Sequence, residues 1–126
     1  MDSARVTAWI ESYERAWRTP GVESLDEVFA AGATYQQSPY QDPVVGLTAI
    51  ERMWEAQRDG PDEVFRMVTE VVAVDGDTAV VRAEVWYGDP VTEEFRDLWV
   101  VRLDDDGRCT WFEEWPFAPP GRRAMA

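Results

Sequence analysis

The chain has 126 residues, 45% of them hydrophobic, and a formal net charge of −13. That size suits one domain around one core, and so negative a surface repels phosphate backbones and anionic lipid heads, which argues against nucleic acid and membrane partners. With no histidine and a single cysteine, the chain by itself can build no Ser-His-Asp or Cys-His site, no histidine-held zinc and no internal disulfide.

The opening Met1-Asp2-Ser3 has no basic or apolar leader character, and no apolar run approaches ~20 residues, so a cytoplasmic protein without a membrane span is expected. Val6, Trp9, Ile10, Tyr13 and Trp17 recur at helical spacing and predict a first helix, ended by Pro20-Gly21. Ser24 and Glu27 have capping-box spacing and start a short second helix that carries Leu25, Val28 and Phe29 inward. Ala33 to Ser38 reads as a strand, followed by a proline-bracketed loop from Ser38 to Pro43. Thr48 and Glu51 repeat the capping-box spacing and open a third helix, with Leu47, Ile50, Met53 and Trp54 on its buried side and Gly60-Pro61 as its stop.

From there the period changes from helical to alternating. Val64–Val74, Thr78–Tyr87, Glu93–Leu103 and Arg108–Phe117 read as four strands, separated by Asp75-Gly76-Asp77, Gly88-Asp89-Pro90 and Asp106-Gly107. The Asp104-Asp105-Asp106-Gly107 run lacks the alternating ligands and terminal Glu of a calcium loop and is a turn. Residues 118–126, with the Arg122-Arg123 doublet, read as a solvated tail, leaving residues 1–117 as the domain. Helices followed by a strand meander make an α+β fold with the helices on one face of a strongly curved antiparallel sheet, enclosing a cone-shaped interior. Cys109, just after a turn glycine, is a small buried filler.

Four stretches in this order resemble the SnoaL-like branch of the nuclear-transport-factor-2-like superfamily. They are Tyr13-Glu14-Arg15-Ala16-Trp17; Leu25 to Phe29 leading into Ala33-Thr34-Tyr35; Ser38-Pro39-Tyr40 through Pro43 to Ala49-Ile50; and Asp106 to Cys109 followed by Phe112, Glu114 and Trp115. The resemblance implies the cone fold. It does not choose among the isomerases, cyclases, hydrolases and binding domains that share it. Against the steroid-isomerase pattern, Tyr13 matches the oxyanion donor and Trp54 lies where a supporting Tyr would be. Ser38 stands where the general base should be, and Trp99 where a second, protonated acid should be, so ketosteroid isomerisation is rejected.

The strand parity that this resemblance implies points Val80, Arg82, Glu84 and Trp86 into the cone, together with Phe95, Asp97, Trp99 and Val101, and Phe112 and Glu114. Tyr13, Trp17 and Trp54 would close its narrow part, with Gln36 and Ser38 at the mouth and Tyr40 on the loop above. Arg82, Glu84, Asp97 and Glu114 would then share one concave space and form the candidate catalytic set. One guanidinium cannot neutralise three carboxylates, so at least one carboxyl is expected to carry a raised pKa or open to water. Three functions follow. The first is binding of a small, largely apolar ring compound. The second is cofactor-independent hydrolysis or isomerisation at an Arg-carboxylate site, resembling the epoxide hydrolases of the superfamily; there Tyr35-Gln36-Gln37 is only similar to the expected Tyr-x-Asn pair. The third is a dimerising module marked by exposed Trp on the convex face. No metal or cofactor is expected, and a homodimer is compatible with all three.

Overall fold

The computed structural model describes residues 1–57 and 64–120. The expected helix stop at Gly60-Pro61 and the tail residues 121–126, with Arg122 and Arg123, lie outside the described residues. The elements run α1 (Ser3–Arg18), α2 (Leu25–Val28), β1 (Phe29–Gln36), β2 (Val44–Val45) and α3 (Leu47–Gln57), then a meander of β3 (Phe65–Asp75), β4 (Thr78–Tyr87), β5 (Glu93–Leu103) and β6 (Cys109–Phe117).

Helix α1 starts where it does because the Asp2 carboxylate accepts from the Arg5 amide at 3.0 Å, a cap worth about 1 kcal/mol. The Arg5 guanidinium reaches on to the carbonyls of Asp104 and Asp105, both at 3.1 Å, and ties the helix start to the β5–β6 turn. Val6, Trp9, Ile10 and Ala16 are buried on its inner face. The Trp9 indole donates to the Val28 carbonyl at 2.9 Å, so a buried polar group is satisfied and α1 is pinned to the α2–β1 junction. Ser24 makes no side-chain cap to α2, which is a single turn. The strand after it begins at Phe29 rather than Ala33, because fully buried Phe29 already pairs with Cys109 of β6.

The sheet is curved and unclosed, with strand order β2-β1-β6-β5-β4-β3. It is antiparallel throughout except for β1 against β6, which are parallel. The expected curved antiparallel sheet is present, with this one parallel pair added to it. The chain leaves β1 through β2 and α3, enters the meander at the far edge and returns beside β1, the long connection that a parallel pair requires. Helices α1 and α3 cover the concave side. Between them and the sheet lies one aromatic core in which Phe112 stacks on Tyr13 at 5.4 Å and touches Trp9, Trp99 and Tyr35. Cys109 is fully buried in that core.

The register also corrects the parity expected for β4. Val81 pairs with Trp99 and Ala83 with Asp97, while Arg82 pairs with Leu98 and Glu84 with Arg96. Directly paired residues share a face. With Trp99 and Asp97 buried inside, Ala79, Val81, Ala83 and Val85 must face inward, and all four are buried. Val80, Arg82, Glu84 and Trp86 therefore lie on the convex face. Charges placed there stay hydrated, whereas the interior would charge heavily for them.

Candidate active site

Toward its open end the cone widens into a cavity of about 440 Å³. Helix α1 contributes Tyr13 and Trp17 to its wall, and α3 contributes Met53, Trp54 and Gln57. Tyr35 and Gln37 come from β1 and the residue just past it, Phe65 and Met67 from β3, and Val85 and Tyr87 from β4. Glu93, Phe95, Asp97 and Trp99 of β5 and Glu114 and Pro116 of β6 complete it. Each strand offers alternate residues, as the pleat dictates.

Two carboxyls meet inside. Asp97 pairs across the sheet with Pro116, and Glu114 with Trp99, so the two acids sit diagonally on one face. Asp97 is only 8% exposed and is the one buried charged residue among those described. Trp99 Nε1 donates to its Oδ2 at 3.4 Å, while its Oδ1 is buried without a hydrogen-bond partner among the described residues. Burial raises its pKa to about 6, against the smaller opposing pull of Trp99 and Glu114. Glu114 accepts a hydrogen bond from the Tyr35 phenol, which lies 3.3 Å from the Tyr13 phenol. Because Tyr35 gives its proton to the carboxylate, Tyr13 is the donor in the second contact. Burial, and then the negative charge of Asp97, raise Glu114 to about 8, partly offset by the Tyr35 bond. Both phenols are held well above the usual tyrosine range by burial first and by Glu114 second. Near neutral pH the pair thus holds one proton between two carboxyls. The Trp54 indole N–H is a further polar atom of the wall that is buried with no hydrogen-bond partner among the described residues.

Of the residues singled out from the sequence, Tyr13, Trp17, Trp54, Asp97, Trp99 and Glu114 line this cavity, and Phe112 is fully buried behind it. Arg82, Glu84 and Trp86 do not. The Arg82 guanidinium pairs with Glu70 on the convex face, Glu84 stands 4.0 Å from Arg96, and the Trp86 ring lies under the Arg66 guanidinium at 4.5 Å. The four-residue Arg-carboxylate set reduces to Asp97 and Glu114. Gln36 points the other way from the wall and donates to the Pro39 and Gln41 carbonyls, bracing the loop. Ser38 accepts from the Gln41 amide through its backbone carbonyl and is absent from the wall, and Tyr40 is fully exposed. Alternation along β1 puts Tyr35 and Gln37 inside instead, and Gln37 exchanges hydrogen bonds with Gln57 at the rim. The inward placement of Tyr35 is legible in the sequence: it lies two residues beyond inward Ala33, at the strand position whose side chain must face the core. Among the described residues no group of three or more His, Cys, Asp or Glu is placed to hold a metal ion, and no helix is long and apolar enough to cross a membrane.

The profile of the SnoaL-like domain family matches residues 9–112, most of the chain. The chain belongs to the SnoaL-like domain family. No curated protein matches this SnoaL-like chain by sequence. Solved structures share its fold. A protein from Sinorhizobium meliloti, provisionally named a polyketide cyclase, is 24% identical with a TM-score of 0.68, covering 90% of this chain and 99% of its own. An LEH-like epoxide hydrolase of M. tuberculosis is 14% identical with a TM-score of 0.71, covering 90% and 84%. The protein RV0760c of Mycobacterium tuberculosis is 12% identical with a TM-score of 0.75, covering 91% and 92%. Identities this low establish the shared cone and nothing about chemistry.

Proposed function

We propose that this SnoaL-like domain binds a small ring compound in its cavity and presents it to Asp97 and Glu114 as an acid–base pair. The observation that carries the reading is the carboxyl pair set in the wall of a 440 Å³ aromatic cavity. Its volume falls in the range of small-molecule sites, and flat rings on α1, α3 and β5 suit an apolar body. The unpartnered Asp97 Oδ1 and Trp54 N–H supply one acceptor and one donor to orient a polar group.

Two acids whose environments separate their pKa values take opposite roles. Asp97, the lower of the two, is the base that accepts a proton from water or from a carbon acid; Glu114, the higher, is the acid that donates to a developing oxyanion. Tyr35 and Tyr13 brace the Glu114 carboxyl from behind. This chemistry fits hydrolytic ring opening of an epoxide, the activity in the name of one structural neighbour, carried out here without an arginine from the chain's described cavity residues.

The test is a calorimetric screen of one- and two-ring compounds, followed by a styrene oxide hydrolysis assay on wild type, Asp97→Asn and Glu114→Gln. Retained binding with turnover abolished in both variants supports the acid–base pair. Binding with no turnover by wild type leaves a binding protein. Failure of every ring compound to bind sinks the reading.

A second reading concerns the convex face. Leu98 and Trp115 pair across β5 and β6, are 38% and 40% exposed, and are flanked by Arg and Glu residues of both signs. An exposed apolar centre with a mixed-charge rim suits a two-fold contact with a second copy, in which Arg meets Glu. We propose a homodimer through this face. Sedimentation of wild type and Leu98→Glu decides it: a dimer made monomeric by the substitution supports it, and a wild-type monomer at micromolar concentration ends it.

A further inference from the structure

The cavity wall carries negative charge and, among the described residues, nothing cationic to oppose it. Its titratable groups are Tyr13 on α1, Tyr35 on β1, Tyr87 on β4, Glu93, Asp97 and Glu114, with none from β3 or α3. The arginine expected among them, Arg82, is on the opposite face of the sheet with Glu70. Arg18, beside the cavity, lies over the Phe65 ring at 4.0 Å and is paired with Glu14 at 2.8 Å.

One full negative charge shared by two carboxyls in such a space is costly to hold unless something of opposite sign enters. The Asp97 Oδ1 is buried and has no hydrogen-bond partner among the described residues. The same wall carries the aromatic rings of Trp99, Trp54, Trp17 and Tyr13, and aromatic rings attract organic cations. The overall charge of −13 draws cations toward the domain and repels anions.

We infer that the cavity takes an organic cation: a protonated amine carried on an apolar ring, with its N–H donors directed at Asp97 and its charge facing the Asp97–Glu114 pair. The inference rests on the cavity being a small-molecule site and adds a class of ligand, ring amines, that occupies the carboxyl pair rather than being turned over by it. Binding the cation displaces the proton that the two carboxyls share, because an ionised pair now has a counter-charge. At pH 7 Glu114 is the group that holds this proton, and burial is what keeps it there. Affinity for an amine should therefore rise as pH rises through about 8, while affinity for a neutral ring compound should not.

Three probes of one shape separate the outcomes: naphthalen-2-ylmethylamine, naphthalen-2-ylmethanol and 2-naphthoate, titrated calorimetrically at pH 7 in two buffers of different ionisation enthalpy. The expected result is an amine bound at least ~10-fold tighter than the alcohol, a gap of one factor of ten in Kd. The naphthoate is weakest, and the buffer dependence shows proton release on amine binding only. In Asp97→Asn the amine-to-alcohol ratio falls toward one. If the alcohol or the naphthoate binds as tightly as the amine or tighter, the cation inference is overturned and the cavity reading survives. If none of the three binds wild type, both fall.

Discussion

The Tyr35 phenol on β1 donates its hydrogen bond to the Glu114 carboxylate on β6, across the one parallel strand pair of the sheet. The bond favours the ionised acid and so works against the burial that favours the neutral one. Replacing Tyr35 with Phe removes the donor and leaves the ring. Glu114 should then titrate at still higher pH, followed by carbon-13 NMR of the glutamate carboxyls. The protein should lose about 1–3 kcal/mol at pH 9, where the carboxylate is ionised and left short of a partner, measured by urea unfolding.

Stability should fall as pH rises from about 4 to about 8. Asp97 and Glu114 have folded pKa values raised from 3.8 to about 6 and from 4.5 to about 8. Across that window the folded state binds more protons than the unfolded one, so raising the pH favours unfolding. The stabilisation is complete below the unfolded values and is lost through the folded ones. The rest of this acidic chain also contributes to such a slope, and Glu114→Gln separates the two. The Gln variant mimics the protonated acid, so its melting temperature should drop less than that of wild type between pH 5 and pH 9.

Arg82→Ala should leave the cavity untouched. Its ion pair with Glu70 is well exposed on both sides, and such pairs contribute about 0–1 kcal/mol. Ligand affinity and the titration of Glu114 should match wild type. A shift in either would return Arg82 to the site.

Phe112→Ala should cost about 3–5 kcal/mol. Phe112 is fully buried and contacts the rings of Trp9, Tyr13, Phe29, Tyr35 and Trp99, which leaves little room for its place to collapse. Denaturant unfolding monitored by tryptophan fluorescence measures it. The same variant should weaken ring-compound binding, since the cavity wall rests on this side chain.

Much of this architecture is legible in the sequence because apolar period and turn chemistry agree along most of it. The three helices, the four meander strands and the inward placement of Asp97, Trp99, Phe112 and Glu114 follow from spacing and from the resemblance to a known cone. Strand β4 is where legibility ends. Val80 and Trp86 alternate as plausibly as Ala79, Val81, Ala83 and Val85, so neither face declares itself core. The decision lies in the neighbouring strand, where Val81 is set against Trp99. Small Ala79 and Ala83 are inward because they are set against inward Val101 and Asp97. The same one-residue phase error placed Gln36 and Ser38 in the cavity in place of Tyr35 and Gln37, since a period of two offers no intermediate answer.

The parallel pairing of β1 with β6 has a consequence for how the site can be lost. Tyr35 and Glu114 are 79 residues apart, and no hairpin can bring them together. Every other strand of the meander finds its partner next door along the chain, and so can keep its pairing when distant segments are removed. A chain cut before β6 would retain three meander strands, with Asp97 and Trp99 on β5, yet have no second acid for Tyr35 to hold and no seam to close the cone on its first strand. Occupancy of the cavity by a ligand is therefore a reporter on the whole polypeptide, sensitive to damage at its far end in a way that strand content alone is not.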